Sequence, residues 1–287
     1  PTSMLAAAQY GNALKYLLKS PAHCKMMGET YMVFWASGIK SEELSKAFSM
    51  GLLGRQEFAF AQPEDELLYR TVMDMLAARP AADEKSSMME ALESDFHVAW
   101  FRCHAARLAL VEYQHATFGE IMVRLRNHLD RATIISSFKD KDVFRPSVYD
   151  LVNALDRSDK DTGITAPDLK DKLLNAILTG AMYPHELLSL VLRRIRVDRS
   201  VSQSRMAIIK MYLLRNSKSQ TNKEAATVAL NPDSTNQAYL LGQLFWHFEA
   251  MQKAAIGRVN RSVKDQYFSA AIFRPASVFP SLISKAG

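Results

Sequence analysis

The sequence predicts a mainly α-helical chain in two parts. Residues 1–160 are expected to form an α+β part, with a small antiparallel sheet and flanking helices. Residues 161–287 are expected to form an all-α helical bundle. Three observations carry this. Runs rich in aromatic and β-branched residues occur at 30–35, 96–102 and 107–113, all in the first part. A polar, charged, glycine-containing stretch at 157–167 separates the parts. Beyond it the apolar residues recur at three- and four-residue steps. In 234–256, Leu241, Leu244, Phe245, Phe248, Met251 and Ala255 make one broad stripe that needs helical partners.

The elements follow in order. Residues 2–19 are good helix formers, closed by Ser20-Pro21. Residues 23–36 form a hairpin turning at Gly28-Glu29. Ser41 opens a helix with Glu42 and Glu43 in its first turn, where the macrodipole favours anions. Pro63 opens another, running to about residue 79. The strands at 96–102 and 107–113 are expected to join the strand at 31–35. Thr117-Phe118-Gly119-Glu120 is a capping box for a helix to about Asp130, and a shorter helix starts at Pro146. In the second part Thr165 caps a helix that stops at Gly180, and Pro184 starts the next. Ser200 opens a third, ending near Asn216, and 217–233 is a polar loop. The run from Ser234 to Gln237 opens the longest helix, closed by Gly257. Short helices follow Arg261 and Pro275.

Composition bounds the function. Of 287 residues, 48% are hydrophobic and 23% charged, a globular balance able to bury a core. There is no apolar run of about 18 residues and no signal peptide, so no membrane partner is expected. Cys24 and Cys103 give no disulfide framework, which makes a reducing cytoplasm the expected setting. The chain opens on Pro1, so a fragment of a longer protein is expected. Net charge is +6, unevenly spread. Residues 1–162 hold 19 Lys+Arg against 22 Asp+Glu; residues 163–287 hold 17 against 8. A polyanion-binding surface is therefore expected in the second part, nucleic acid being the commonest such partner.

Two clusters are candidates. In 184–199, Leu187, Leu188, Val191, Leu192 and Ile195 are assigned to one helical arc. Arg193, Arg194 and Arg196 are assigned to the opposite arc, with Glu186 the only acid there, and Arg199 extends the row. Outward arginines with little local pairing suit phosphates; a solvated charged face is the alternative. The second cluster is Arg258, Arg261, Lys264 and Arg274, interleaved with Tyr267, Phe268 and Phe273. Rings beside cations suit single-stranded nucleic acid, although Tyr267 and Phe268 are better read as core residues of a terminal helix. No catalytic residue, metal site or cofactor is expected. His23-Cys24 and Cys103-His104 lack zinc spacing. With Gly163 sixth, a calcium loop would need carboxylates at Ser158 and Leu169. No phosphate loop or nucleophile elbow occurs.

Several segments, in order, resemble the large subunit of the type I-C CRISPR surveillance complex (Cascade). They are Ala13-Leu14-Lys15-Tyr16-Leu17-Leu18 with Thr30-Tyr31-Met32-Val33-Phe34-Trp35-Ala36; Phe96-His97-Val98 with Ala105-Ala106-Arg107 and Thr117-Phe118-Gly119-Glu120; Ile177-Leu178-Thr179-Gly180, Tyr183-Pro184 and the block from Leu192 to Arg199; and Asn231-Pro232-Asp233, Ala238 to Phe245, Lys264 to Ala271 and Pro275 to Pro280. The likeness spans nearly the whole chain. His104 stands where that family usually has Asn. On this resemblance the family's N-terminal region, associated with reading the PAM, is expected to lie outside these 287 residues, and its C-terminal extension is expected to be cut short at Gly287.

The resemblance implies a non-catalytic, cytoplasmic subunit of a crRNA-guided antiviral complex. Such a subunit works beside backbone, small and crRNA-end-binding subunits, crRNA and target DNA. RNA–DNA pairing reads the sequence there, while protein holds backbones and the displaced strand. The resemblance also implies that the C-terminal helical part is similar to the Cascade small subunit and lines the strand path. It implies docking of the helicase–nuclease, and a surface that phage anti-CRISPR inhibitors target. Arg193, Arg194, Arg196 and Arg199 lie in a family-like block. Two other readings stay open: a purely structural subunit whose basic face meets partner proteins, and a metal-dependent nuclease, which would gather carboxylates from several elements.

Overall fold

The structure is a computed structural model. It describes residues 3–27, 29–38, 40–53, 70, 74, 90–104, 107–135, 143–155, 167–198, 201–227, 231–257, 263, 266–267, 270–271 and 274–286. The chain is mainly helical, with a small four-stranded antiparallel sheet in its N-terminal part followed by helices. The helix expected from Pro63 lies mostly outside the described residues, as does the stretch expected at 157–167.

Helix α1 (Met4–Lys19) starts at Ser3, whose hydroxyl accepts from the Ala6 N–H at 3.2 Å. Strands β1 (Cys24–Met27) and β2 (Thr30–Ala36) form the expected hairpin. Helix α2 (Ser41–Leu53) follows. Strands β3 (Asp95–His104) and β4 (Arg107–Thr117) complete the sheet in the order β1-β2-β3-β4, both longer than their apolar runs. The pairing sets Trp35 opposite His97, and His97 opposite His115. A register shift follows Trp100, where Glu112 and Leu110 face consecutive β3 residues.

Alternation divides the sheet into two faces. One carries Met32, Phe34, Phe96, Val98 and Trp100, all buried. Phe34 meets Phe48 of α2 edge-on at 4.9 Å, and Phe96 meets Phe48 at 5.1 Å. Phe96 also meets Phe118 at 5.3 Å, in helix α3 (Phe118–Ala132). Thr117 caps α3 by accepting from the Glu120 N–H at 3.2 Å.

The short β5 (Ile134–Ile135) and β6 (Val143–Phe144) pair after α3. Helix α4 (Val148–Asn153) opens on a complete capping box between Ser147 and Asp150. Then come α5 (Pro167–Thr179), α6 (Glu186–Asp198) and α7 (Gln203–Asn216), capped by Ser202, two residues after the expected Ser200. The expected polar loop contains a short helix, α8 (Gln220–Ala225). The long α9 (Gln237–Ile256) is capped by Asn236 and ends at Gly257, with φ +73, and α10 (Pro275–Ala286) is last.

The larger core runs across position 160. It joins the sheet, α2 and α3 to Leu173, Leu174 and Ile177 of α5, Leu187 and Val191 of α6, and Ile208 and Met211 of α7. A second, smaller core lies between α9 and α10: Phe245, Phe248, Val278, Phe279 and Leu282. The near half of the predicted α9 stripe serves this core, whereas Met251 is exposed. Polar groups tie α5 to the sheet. Arg102 on β3 pairs with Asp168 at 3.1 Å and also with Asp171, and Asp171 accepts from the Thr30 hydroxyl at 2.8 Å.

Candidate nucleic-acid interface

The candidate surface is built on α6, which is fixed at both ends. Before it, Gly180 ends α5 with φ +79. Tyr183 then turns into the core, its hydroxyl 2.7 Å from His128 Nδ1. Asn216 of α7 grips the Tyr183 backbone on both sides. The Tyr183 N–H donates to Asn216 Oδ1 at 3.1 Å, and Asn216 Nδ2 donates to the Tyr183 carbonyl at 2.7 Å. The Arg215 guanidinium lies 4.6 Å over the Tyr183 ring. After α6, Asp198 pairs with Arg205 of α7, which also donates to the Ala154 carbonyl at 3.4 Å.

Between these anchors Leu187, Val191 and Ile195 are buried, and Arg193 and Arg196 are exposed. Arg194 is not on the outward arc assigned from the sequence; it is 2% exposed. The reason is helical geometry. Seven residues separate Leu187 from Arg194, two turns that bring the side chain back to within about 20° of its start. Arg194 therefore belongs to the Leu187 side, and its charge does not change that.

Each acid of α6 has a partner outside the arginine row. Glu186 sits 3.8 Å from Lys172 Nζ and 3.3 Å from His185 Nδ1. Its own backbone N–H holds its carboxyl below the ordinary range, and His185 and Lys172 add to this. Asp198 is committed to Arg205. On α5, Asp168 and Asp171 are committed to Arg102.

Part of the basic surplus is internal. Lys170, Arg194, Arg205 and Lys210 are buried. Lys210 Nζ donates to the Arg131 and Thr133 carbonyls at 3.0 and 2.7 Å, closing the C-terminal end of α3. Burial lowers its pKa, with Asp130 opposing.

In the second cluster Arg274 is exposed at the entrance to α10. Arg199, Arg258, Arg261 and Lys264 lie outside the described residues, as do Phe268 and Phe273. Tyr267 packs half-buried against the smaller core and its hydroxyl accepts from Lys285 Nζ at 2.6 Å, so it serves packing. Among the described residues no three His, Cys, Asp or Glu side chains gather as a metal ion needs. No helix of the described residues is long and apolar enough to cross a membrane.

A family model described as CRISPR-associated protein (Cas_Csd1) matches residues 1–287. The chain belongs to this family. No curated protein matches it. Membership makes the chain CRISPR-associated, and the ordered segments singled out above are distributed over the same span. The arginine block of α6 therefore sits within a family member, on a helix pinned at both ends.

The residues that pin it were not visible as such in the sequence. Asp198 and Arg205 lie seven residues apart on different helices, and Asn216 grips a backbone 33 residues away. Equally unmarked were His97, Tyr113 and His115 on the second face of the sheet. The one available signal was their alternate spacing, which puts Tyr113 and His115 on the same side of a strand.

Proposed function

We propose that the chain is a non-catalytic part of the large subunit of a type I-C Cascade complex, holding the target and displaced DNA strands and supporting docking of the helicase–nuclease. Backbone, small and crRNA-end-binding subunits and crRNA are its partners in this reading, and an anti-CRISPR protein its natural antagonist. Arg193, Arg196 and Arg274 are the described contacts, with Arg199, Arg258, Arg261 and Lys264 completing the set. Arg194 supports the surface from beneath. One observation carries the reading. Arg193 and Arg196 are exposed on a helix whose own acids, Glu186 and Asp198, are occupied by other partners, in a CRISPR-associated chain. Exposed cations on one helix face suit the phosphate backbone.

The test is binding of labelled single- and double-stranded DNA across a salt series, wild type beside Arg193→Ala/Arg196→Ala. Each lost phosphate contact should lower the slope of log K against log salt by about one. No binding at low salt, or a slope the double variant leaves unchanged, removes the assignment. Cleavage dependent on magnesium would instead favour a nuclease.

A second reading rests on α1. No residue of that helix is buried, and Met4, Leu5, Tyr10 and Tyr16 are all exposed. So apolar a helix surface is suited to another protein, and a subunit role through protein contacts is compatible with DNA holding elsewhere.

A further inference from the structure

The sheet's second face carries a row of rings. Trp35, His97 and His115 are direct cross-strand neighbours on β2, β3 and β4. Trp35 and His97 stack with centroids 5.0 Å apart, and His97 and His115 at 4.6 Å, both with planes 17° apart. Tyr113 stacks on His97 at 6.1 Å, also at 17°. The strand spacing of about 4.8 Å explains the row: rings on adjacent strands stand on edge, face to face.

The row is held by its edges. His97 Nδ1 and the Tyr113 hydroxyl are 2.7 Å apart, and Ser37 Oγ lies 3.4 Å from His97 Nε2. His115 Nε2 meets Asp95 at 3.0 Å. Burial lowers the pKa of His97, with His115 adding to this and Asp95 opposing, which favours the neutral ring. Tyr113 and the His115 side chain are 46% and 47% exposed.

Both ends of the stack lack a neighbouring strand. β4 is the sheet's edge, and β1 pairs with β2 only over Thr30–Val33, short of Trp35. No unpaired carboxylate of these strands faces the row. Asp95 is answered by His115, and Glu112 points to the opposite face, where Asn175 donates to it at 3.2 Å. The row is thus a stack of π-faces with hydrogen-bonding edges, and the one carboxylate at its end, Asp95, is held by His115. An aliphatic docking surface would have neither property.

We propose that the row Trp35–His97–His115, with Tyr113, is a stacking platform for unpaired bases of single-stranded nucleic acid. An aromatic face on a four-stranded antiparallel sheet, with helices packed on the other side, is a known arrangement for this chemistry. The platform rests on the nucleic-acid reading above but uses a surface separate from α6. It works by base stacking, where α6 works by charge.

The test is titration of the chain with oligo-dT and oligo-U of about eight nucleotides. It follows tryptophan emission in a Trp246→Phe background, where Trp35 and the buried Trp100 remain. Expected is quenching on binding, with affinity roughly tenfold lower in Tyr113→Ala and His115→Ala and an unchanged salt slope. Both sites lie on the exposed edge strand, and Tyr113→Phe should retain most binding because the ring is kept. Ultraviolet cross-linking should map to the four ring residues. Similar binding of both oligomers marks recognition of unpaired bases; preference for one names the strand. Affinity unchanged by both alanine variants overturns the platform while leaving the α6 reading intact if Arg193→Ala/Arg196→Ala still weakens binding. Ring variants that weaken binding while the arginine variant does not would sink the α6 assignment instead. No oligonucleotide binding at all overturns both.

Discussion

Asp198 and Arg205 form an ion pair whose side chains are 8% and 7% exposed, linking the end of α6 to α7. A pair this buried gains its Coulomb energy against a large desolvation cost, so breaking one half is far worse than losing both. Asp198→Ala leaves the Arg205 guanidinium buried without its counter-charge and should cost about 3–5 kcal/mol. Asp198→Leu/Arg205→Leu should recover much of that loss, because two apolar groups replace two desolvated charges. Urea melts of the three chains check this. A double variant no more stable than Asp198→Ala would mean that the Ala154 contact of Arg205, and not the pair, holds the junction.

Neighbouring arginines on α6 should separate by what they affect. Arg194 is buried against the core side of the helix, so Arg194→Ala removes packing and should cost about 2 kcal/mol or more. Arg193→Ala, on the exposed face, should change stability by no more than about 0.5 kcal/mol and act on DNA binding. Thermal unfolding beside a salt-dependent titration tests both. Equal melting temperatures for the two variants would contradict the burial difference.

How much of this was legible in the sequence depends on the range of the interactions. The hairpin at 23–36, the cap at Thr117, the start of α9 (expected from Ser234, capped by Asn236) and the stop at Gly180 are local, set by residues within about one turn, and the structure keeps them with shifts of a residue or two. The placement of Arg194 was also local. The two-turn return to Leu187 puts it on the buried side, although its charge suggested solvent. Lys210 was not legible, because its acceptors are the carbonyls of Arg131 and Thr133, 77 or more residues away. The two-residue strands β5 and β6 were hidden because runs so short show no period. The core crossing position 160 was hidden too. A polar stretch marks a surface connection, but it does not say whether the helices beyond it pack back on the sheet.

Acid should weaken the fold through His128. Burial, then the charges of Arg215 and Arg131, lower its pKa from the usual 6.5 to about 3. Between those values the unfolded chain binds a proton that the folded chain refuses. Stability is therefore intact above about pH 6.5 and falls as pH drops through the window, by up to about 1.4 kcal/mol per pH unit. His128→Gln retains an amide able to bond the Tyr183 hydroxyl but cannot titrate, so its stability should fall less between pH 6.5 and 4. Parallel slopes for the two chains would assign the acid sensitivity to other groups.

Gly180 separates backbone strain from crowding. A Cβ added there would lie 3.6 Å from Arg215 Nη2 and 3.8 Å from Arg124 Cγ, ordinary contact distances that need no rearrangement. The cost of Gly180→Ala is therefore conformational. An L side chain at φ +79 pays roughly 1–2 kcal/mol. Asn tolerates the left-handed region better, so Gly180→Asn should fall between wild type and Ala. The α6 surface begins only after Tyr183, which Asn216 and His128 still hold. Below their melting temperatures both variants should therefore bind DNA as the wild type does. A loss of DNA binding in fully folded Gly180→Ala would show instead that the turn itself, and not α6 alone, meets the strand.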